Sequence, residues 1–292
     1  MTSVIQPEIF EFPVNKKICF SNHKNVYEGK IKKRQLKVLT NFSPFLKQLL
    51  EPDEEILYSS KACSPVSLLE QFLTGWVLYY IKRCVLVFTN KRILHFPTKI
   101  NFCPRNSVAQ IRYGDIEKYK IGGFGGRILG LTYKSGKKEK FYYLESKGRK
   151  KLGTILPLFV KDALPSAVKE RHHLCPRCTA PLSSGEFFCQ KCRLEFKDPS
   201  QALKFSIVFP GGGYFYTRHP VLGFGDALTE TILLIALIMG LVDVSKGGAQ
   251  WFTVIPLAII LFLEKLITIY HARNYVKEYI PADQKLTAIQ SP

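Results

Sequence analysis

Four cysteines in two pairs, Cys175-Pro-Arg-Cys178 and Cys189-Gln-Lys-Cys192, have the types and spacing to do chemistry, with ten residues between the pairs. Each C-x2-C pair presents two thiolates from one tight turn, and two such turns can close a sulfur tetrahedron around a metal ion. Four protein ligands leave no open coordination position. The expected ion is therefore structural, Zn2+ first, with iron in the same sulfur set as the alternative. Two disulfides or four free thiols are the competing readings, and the reducing compartment inferred below disfavours the disulfides. Phe187 and Phe188 supply the few apolar atoms of the segment, so metal binding must provide most of its folding energy, on the order of 10 kcal/mol. His172 and His173, just upstream, are expected as a solvated pair rather than as replacement ligands. Cys19, Cys63, Cys84 and Cys103 are scattered, with no base placed beside them, and are expected as small buried residues rather than nucleophiles.

Nothing else in the sequence supports a reaction. There is no Ser-His-Asp pattern, open metal site or cofactor fingerprint, and the chain is expected not to be an enzyme. The glycine-rich run from Gly122 to Gly126 is followed by strand-like residues, with no Lys-Ser/Thr, so it is expected as a loop between strands rather than a phosphate cradle.

The elements that must hold these cysteines divide sharply by composition. The 292 residues carry 42 Lys+Arg against 23 Asp+Glu, a net charge of +19, and residues 1–200 hold 35 of the basic and 17 of the acidic residues. A mean hydropathy of +0.01 is thus a blend of a basic part and an apolar tail. The basic part suits an anionic lipid surface or a nucleic acid, and charge alone does not choose between them.

The tail, Leu203 to Tyr275, contains two apolar segments, from about Val221 to Val242 and from Trp251 to Tyr270, joined by the polar loop Asp243 to Gln250. Each reaches the roughly 20 residues that cross a bilayer, and the short loop makes them antiparallel neighbours in a membrane hairpin. The excess of Lys and Arg ahead of the hairpin predicts a multi-pass protein of the cell (inner) membrane with both termini cytoplasmic. Met1 to Cys19 lacks the apolar core of a cleavable signal, so the hairpin is expected to do the targeting. Asp226 and Glu230 are four apart and share a helix face, while Glu264 and Lys265 sit at matching depth on the returning helix. A Glu230–Lys265 pair across the hairpin is expected, with a polar pathway or an oligomer contact as the functional alternative.

Upstream, residues 1–51 are expected as a basic N-terminal extension, with Lys24 to Lys37 as a solvated arm and a short helix capped by Ser43 with Pro44 at its first position. From residue 52 the pattern becomes α+β. Val85–Phe88 and Ile93–Phe96 bracket the polar break Thr89-Asn-Lys-Arg92 as strand, turn, strand. Ser107 to Ile121 supplies another strand region, and Ile128–Lys134 and Glu139–Leu144 flank a hairpin turn at Ser135-Gly136. Thr154 is expected to cap a closing helix, Ile155 to Leu164, with Pro157 in its first turn and Ile155, Phe159 and Ala163 on one face. Leu68 to Tyr80, rich in Phe72, Trp76, Tyr79 and Tyr80, is open between a strand pair and a helix lying on a membrane.

Antiparallel strands closed by a helix, opened by Glu54-Glu-Ile-Leu-Tyr and carrying Thr89 to Arg92, resemble the bacterial pleckstrin-homology-like (PH-like) domains over residues 52–164. The Cys-Pro-x-Cys and Phe-Cys-x-x-Cys halves resemble small bacterial zinc ribbons, and Pro210, Gly211, Gly213, Tyr216, Arg218 and Gly223 resemble the start of a family of two-helix bacterial membrane domains. These resemblances imply a PH-like antiparallel barrel or sandwich with a C-terminal helix (52–164), a linker (165–174), a zinc ribbon (175–197), a membrane hairpin (203–275) and a C-terminal tail (276–292). The expected function is non-catalytic binding or scaffolding at the cytoplasmic membrane face. Lys91, Arg92, Lys134, Lys137 and Lys138 are the candidate contacts to lipid or to a protein partner, which includes a second copy of the chain. A membrane-tethered nucleic-acid-binding module and a subunit of a transport or envelope assembly are the alternatives.

Overall fold

The computed structural model describes residues 10–123, 127–160, 163–248 and 251–283. They form two compact units, one running to Leu194 and one from Glu195 to Asp283. In chain order the first unit comprises α1 (Lys16–Cys19), α2 (Gly29–Leu49), β1 (Ile56–Cys63), α3 (Leu68–Thr74), a 3-10 turn at Gly75–Val77, α4 (Leu78–Ile81), β2 (Arg83–Thr89), β3 (Arg92–Pro97) and β4 (Val108–Arg112). There follow β5 (Ile116–Gly122), β6 (Ile128–Tyr133), β7 (Lys138–Phe141), α5 (Ser146–Val160) and β8 (His172–Leu174). The strands form two antiparallel sheets, ordered β1-β2-β3-β4-β8 and β5-β6-β7. They do not close into a barrel among the described residues. Cys63 and Tyr142 exchange two backbone hydrogen bonds at one edge and join the sheets there.

The continuous apolar run in β2 lacks alternation because both of its faces are covered. Leu86 and Phe88 enter a core between the sheets with Leu57, Ile111, Leu131 and Leu152, while Val85 and Val87 enter a second core with Leu39, Phe42 and Leu46 of α2. The basic stretch expected as a solvated arm therefore runs into a 21-residue helix that buries Ile31, Val38, Leu39, Phe42, Leu46 and Leu49. Ser43 is not its cap, and Pro44 lies inside it, held by burial of the residues around it. Lysines and Arg34 on the opposite side of this helix obscure the apolar stripe in the sequence.

The closing helix also starts early. α5 begins at Ser146, Pro157 lies inside it, and the Thr154 hydroxyl donates to the Lys151 carbonyl at 2.7 Å instead of capping. Lys151 is buried, its ammonium donating to Ser21 Oγ, Asn22 O and Asn25 Oδ1 at 2.9–3.0 Å, so a charged residue belongs to the inward face. Lys161 and Asp162 of the expected helix, and Phe124 to Gly126 of the glycine-rich run, lie outside the described residues. Leu68 to Ile81 is helical rather than a strand pair, with Ser67 and Glu70 forming a reciprocal capping box. The expected linker ends in β8, whose pairing with β4 leaves His172 and His173 half-buried rather than solvated.

The second unit is helical: α6 (Pro199–Val208), α7 (Gly212–Tyr216), α8 (Pro220–Ser245) and α9 (Trp251–Val276). Asp198 caps α6 by accepting from the Ser200 and Gln201 amides, and Pro199 occupies its first turn. Gly211 is left-handed, with φ 66°, and a Cβ there would meet the Gly223 carbonyl at 2.2 Å; one at Gly213 would meet Ser206 Oγ at 2.0 Å. The Pro-Gly-x-Gly run thus lets backbones approach closely where α6, α7 and α8 converge. Helices α8 and α9 have 26 residues each and are long and apolar enough to cross a membrane. Ile235, Ile238, Met239, Ile259 and Phe262 are among the apolar side chains that they leave exposed. Ala249 and Gln250 of the connecting loop, and the tail from Gln284, lie outside the described residues.

Candidate functional site

The four paired cysteines converge. Cys175 and Cys192 Sγ lie 3.4 Å apart, Cys178 and Cys189 Sγ 3.5 Å apart, and all four sulfurs fall within 4.8 Å of one another. A disulfide needs about 2.05 Å, so none is present among them. Sulfurs bonded at about 2.3 Å to a tetrahedral ion stand about 3.8 Å apart, which this cluster brackets. The four cysteines are placed to hold a metal ion.

The two turns that carry them are built alike. The Cys175 amide donates to Ala180 O at 2.8 Å and the Thr179 amide to Cys175 O at 2.9 Å; the Cys189 amide donates to Leu194 O at 2.8 Å and the Arg193 amide to Cys189 O at 2.9 Å. Thr179 and Arg193, each the residue after a pair, are left-handed at φ 58° and 59°. Neither is glycine, so both turns hold a conformation that L residues disfavour. β8 delivers the first turn, with Leu174 bridging Val108 on one side and Pro181 on the other. Burial pushes the Cys175 thiol up, against the Arg177 and Cys178 amides. Burial acts upward on Cys189 too, but the Cys192 and Lys191 amides together with the Cys178 and Cys192 thiols outweigh it and bring the thiol to about 7. Amides aimed at sulfur favour the thiolate that binds metal.

The basic residues picked from the sequence are not all on the surface. Arg92 is 3% exposed, its guanidinium forked onto Glu54 at 2.8 and 3.0 Å and donating to the Leu49 carbonyl at 2.5 Å and to Gln110, with Glu51 at 3.2 Å. Thr89 Oγ1 donates to Glu54 at 2.7 Å, Asn90 Oδ1 accepts from the Glu55 amide at 3.0 Å, and Lys91 Nζ donates to the Pro52 carbonyl at 2.5 Å. The Glu-Glu opening and the Thr-Asn-Lys-Arg turn are two halves of one internal lock. As a surface contact Arg92 is therefore corrected: the sequence shows a charged turn, and packing buries it. Lys134 and Lys138 are exposed, and Lys137, also exposed, lies 3.6 Å from Glu139 and 3.5 Å from Glu170.

In the second unit Lys265 Nζ donates to Glu230 Oε2 at 2.6 Å, the pair expected from matched depth, and also to the Ser206 carbonyl at 2.9 Å. The Thr268 hydroxyl lies 2.9 Å from Asp226 and 3.2 Å from Glu264, and Asp226, Glu230 and Glu264 bring carboxylate oxygens within 4.8 Å of one another.

One arrangement was not legible in the sequence. Ser64 Oγ lies 2.9 Å from His95 Nε2, both buried, and Arg171 Nη1 lies 3.4 Å from His95 Nδ1. Arg171 also forks onto Glu139 at 2.9 Å, and the Tyr133 hydroxyl donates to Glu139 at 2.7 Å. Arginine only donates, so Nδ1 accepts and Nε2 carries the proton. A histidine in that tautomer donates to Ser64 and cannot take its proton, so this pair is a buried bridge rather than an activated nucleophile. Burial, then the Arg171 cation, holds the His95 pKa well below its usual value.

No family model, curated protein or solved structure matches this chain.

Proposed function

We propose that this chain is a non-catalytic, membrane-anchored binding or scaffold protein, its first unit a PH-like domain extended by a zinc ribbon on the cytoplasmic side and its second a transmembrane hairpin. The observation that carries this reading is the pairing, in one chain, of two 26-residue helices able to cross a bilayer with a strongly basic remainder. Seven strands, with α3 and α4 inserted after β1, divided between two antiparallel sheets and followed by a helix that enters the core between them, support the PH-like assignment. The all-sulfur ligand set, closed and built on paired turns, favours structural zinc. Its removal would cost folding energy rather than stop a reaction.

The test is fractionation and metal content of the full chain. It should stay with membranes through alkaline carbonate, expose residues 1–200 to protease only from the cytoplasmic face, and carry one zinc per chain that is lost in Cys178→Ser. Release by carbonate sinks the anchor, and iron with its visible absorption replaces the zinc.

A second reading, a subunit of a transport or envelope assembly, is favoured by the cluster of three carboxylates in the hairpin, one of which pairs with Lys265. Loss of assembly in Glu230→Gln and Lys265→Met separately, with recovery in the double variant, would reduce that cluster to a structural pair.

A further inference from the structure

Resting on the membrane reading above, we propose that the segment Leu68–Ile81 is a second membrane contact, through which the first unit lays an apolar, cation-rimmed face on an anionic lipid surface. Leu68, Phe72 and Trp76 are 85%, 84% and 70% exposed, and Leu69 and Tyr80 are also exposed. Side chains of this size are ordinarily the ones a fold buries, and their grouping on one short helical segment marks an interaction site.

What covers the face follows from where the charges go. Glu70, the sole acid of the segment, is turned inward: it closes the capping box with Ser67 and lies 3.3 Å from Lys82, both side chains being 6% exposed. The segment itself therefore turns no carboxylate outward to repel a negatively charged surface. The rim is cationic instead. The Arg83 guanidinium lies 4.8 Å from the Tyr80 ring and 4.9 Å from Phe102, the Lys61 ammonium 4.3 Å from Phe102, and Arg127 5.9 Å from the exposed ring of Tyr143. Aromatic rings carrying cations beside protruding Leu, Phe and Trp combine the two attractions that hold an interfacial helix: apolar burial at the acyl boundary and attraction to anionic head groups. A protein partner would also accept the apolar side chains. The cationic rim, the inward acid and the membrane-length helices in the same chain favour lipid.

The test uses the full chain in vesicles of phosphatidylcholine, alone or mixed with phosphatidylglycerol. The sequence has two tryptophans, Trp76 and Trp251, so Trp251→Phe isolates the first and Trp76→Phe the second. With phosphatidylglycerol present, Trp76 emission should shift to the blue, lose most of its intensity to brominated lipid and resist iodide. Phe72→Asp, at an exposed position, should abolish all three while leaving Trp251 quenched. Trp76 that stays open to iodide and unquenched while Trp251 is quenched overturns the surface contact and leaves the anchor standing. If Trp251 is unquenched as well, the anchor fails and the surface contact with it. Protection of Trp76 from iodide that is indifferent to brominated lipid and grows with protein concentration would assign the face to a second copy, and overturns the proposal.

Discussion

Two ion pairs on buried carboxylates, Glu54–Arg92 in the first unit and Glu230–Lys265 in the second, use the same kinds of group and end differently. Around Arg92 both oxygens of Glu54 have donors, and Thr89, Gln110 and the Leu49 carbonyl complete the shell. Of the three carboxylates Lys265 pairs with Glu230 alone, although Asp226 and Glu264 bring carboxylate oxygens within 4.8 Å of a Glu230 oxygen, and Glu230 Oε1 and Glu264 Oε2 are buried without a hydrogen-bond partner. A filled shell repays desolvation and pins two distant segments together, whereas a shell with empty acceptors leaves charge that the apolar surroundings disfavour. The first is a device of folding. The second is where a functional demand on the hairpin would show.

Single substitutions can break this contrast. Arg92→Ala strands Glu54 in the core and should cost roughly 3–5 kcal/mol, read as a large fall in the thermal midpoint of the detergent-solubilised chain. Lys265→Ala should cost less, about 1–3 kcal/mol, because Lys265 is 24% exposed against 4% for Arg92 and gives Glu230 one hydrogen bond where Arg92 gives Glu54 two, and Glu230→Gln in that background should recover most of it. Equal losses from the two alanine variants would refute the distinction.

Acid should act chiefly on the first unit. His95 is held neutral, its folded-state pKa below the unfolded value of about 6.5. Its contribution is therefore complete above pH 6.5 and lost as pH falls, at up to about 1.4 kcal/mol per pH unit. Glu139 acts in the same sense at lower pH: burial raises its pKa, but Arg171 and Tyr133 more than offset this and leave the carboxyl below its usual value. Unfolding midpoints measured from neutral to mildly acidic pH should decline, and His95→Gln should flatten the upper part of the decline. A flat profile in the unsubstituted chain would remove His95 from the account. The smallest effect belongs to the metal turns, where Thr179→Gly should relieve a left-handed threonine and gain about 1 kcal/mol with metal content unchanged. A loss there would mean that the threonine side chain supports the turn.

The parts that could be read from sequence are those governed by local spacing. Cys175, Cys178, Cys189 and Cys192 declare themselves because two thiolates from one turn must lie three residues apart. The hairpin at Gly136, left-handed at φ 85°, is legible because turn chemistry is local, and α8 and α9 are legible because a long, mostly apolar run is itself a feature of the local sequence. The depth match of Glu230 and Lys265 also follows from a short loop and a fixed rise per residue. Arg92 shows the limit. Its type and turn position suggest a surface cation, and only the return of Glu54, 38 residues away, makes it a core residue. The inward face of α2 and the burial of Lys151 were hidden for the same reason, since Lys and Arg are interspersed with the apolar residues that decide which side packs. The Ser64–His95–Arg171 bridge joins three elements far apart in the chain. Composition and spacing specify which bonds a segment is able to make, while long-range packing selects its partners, because the cost of burying a charge is settled only once the groups around it are in place.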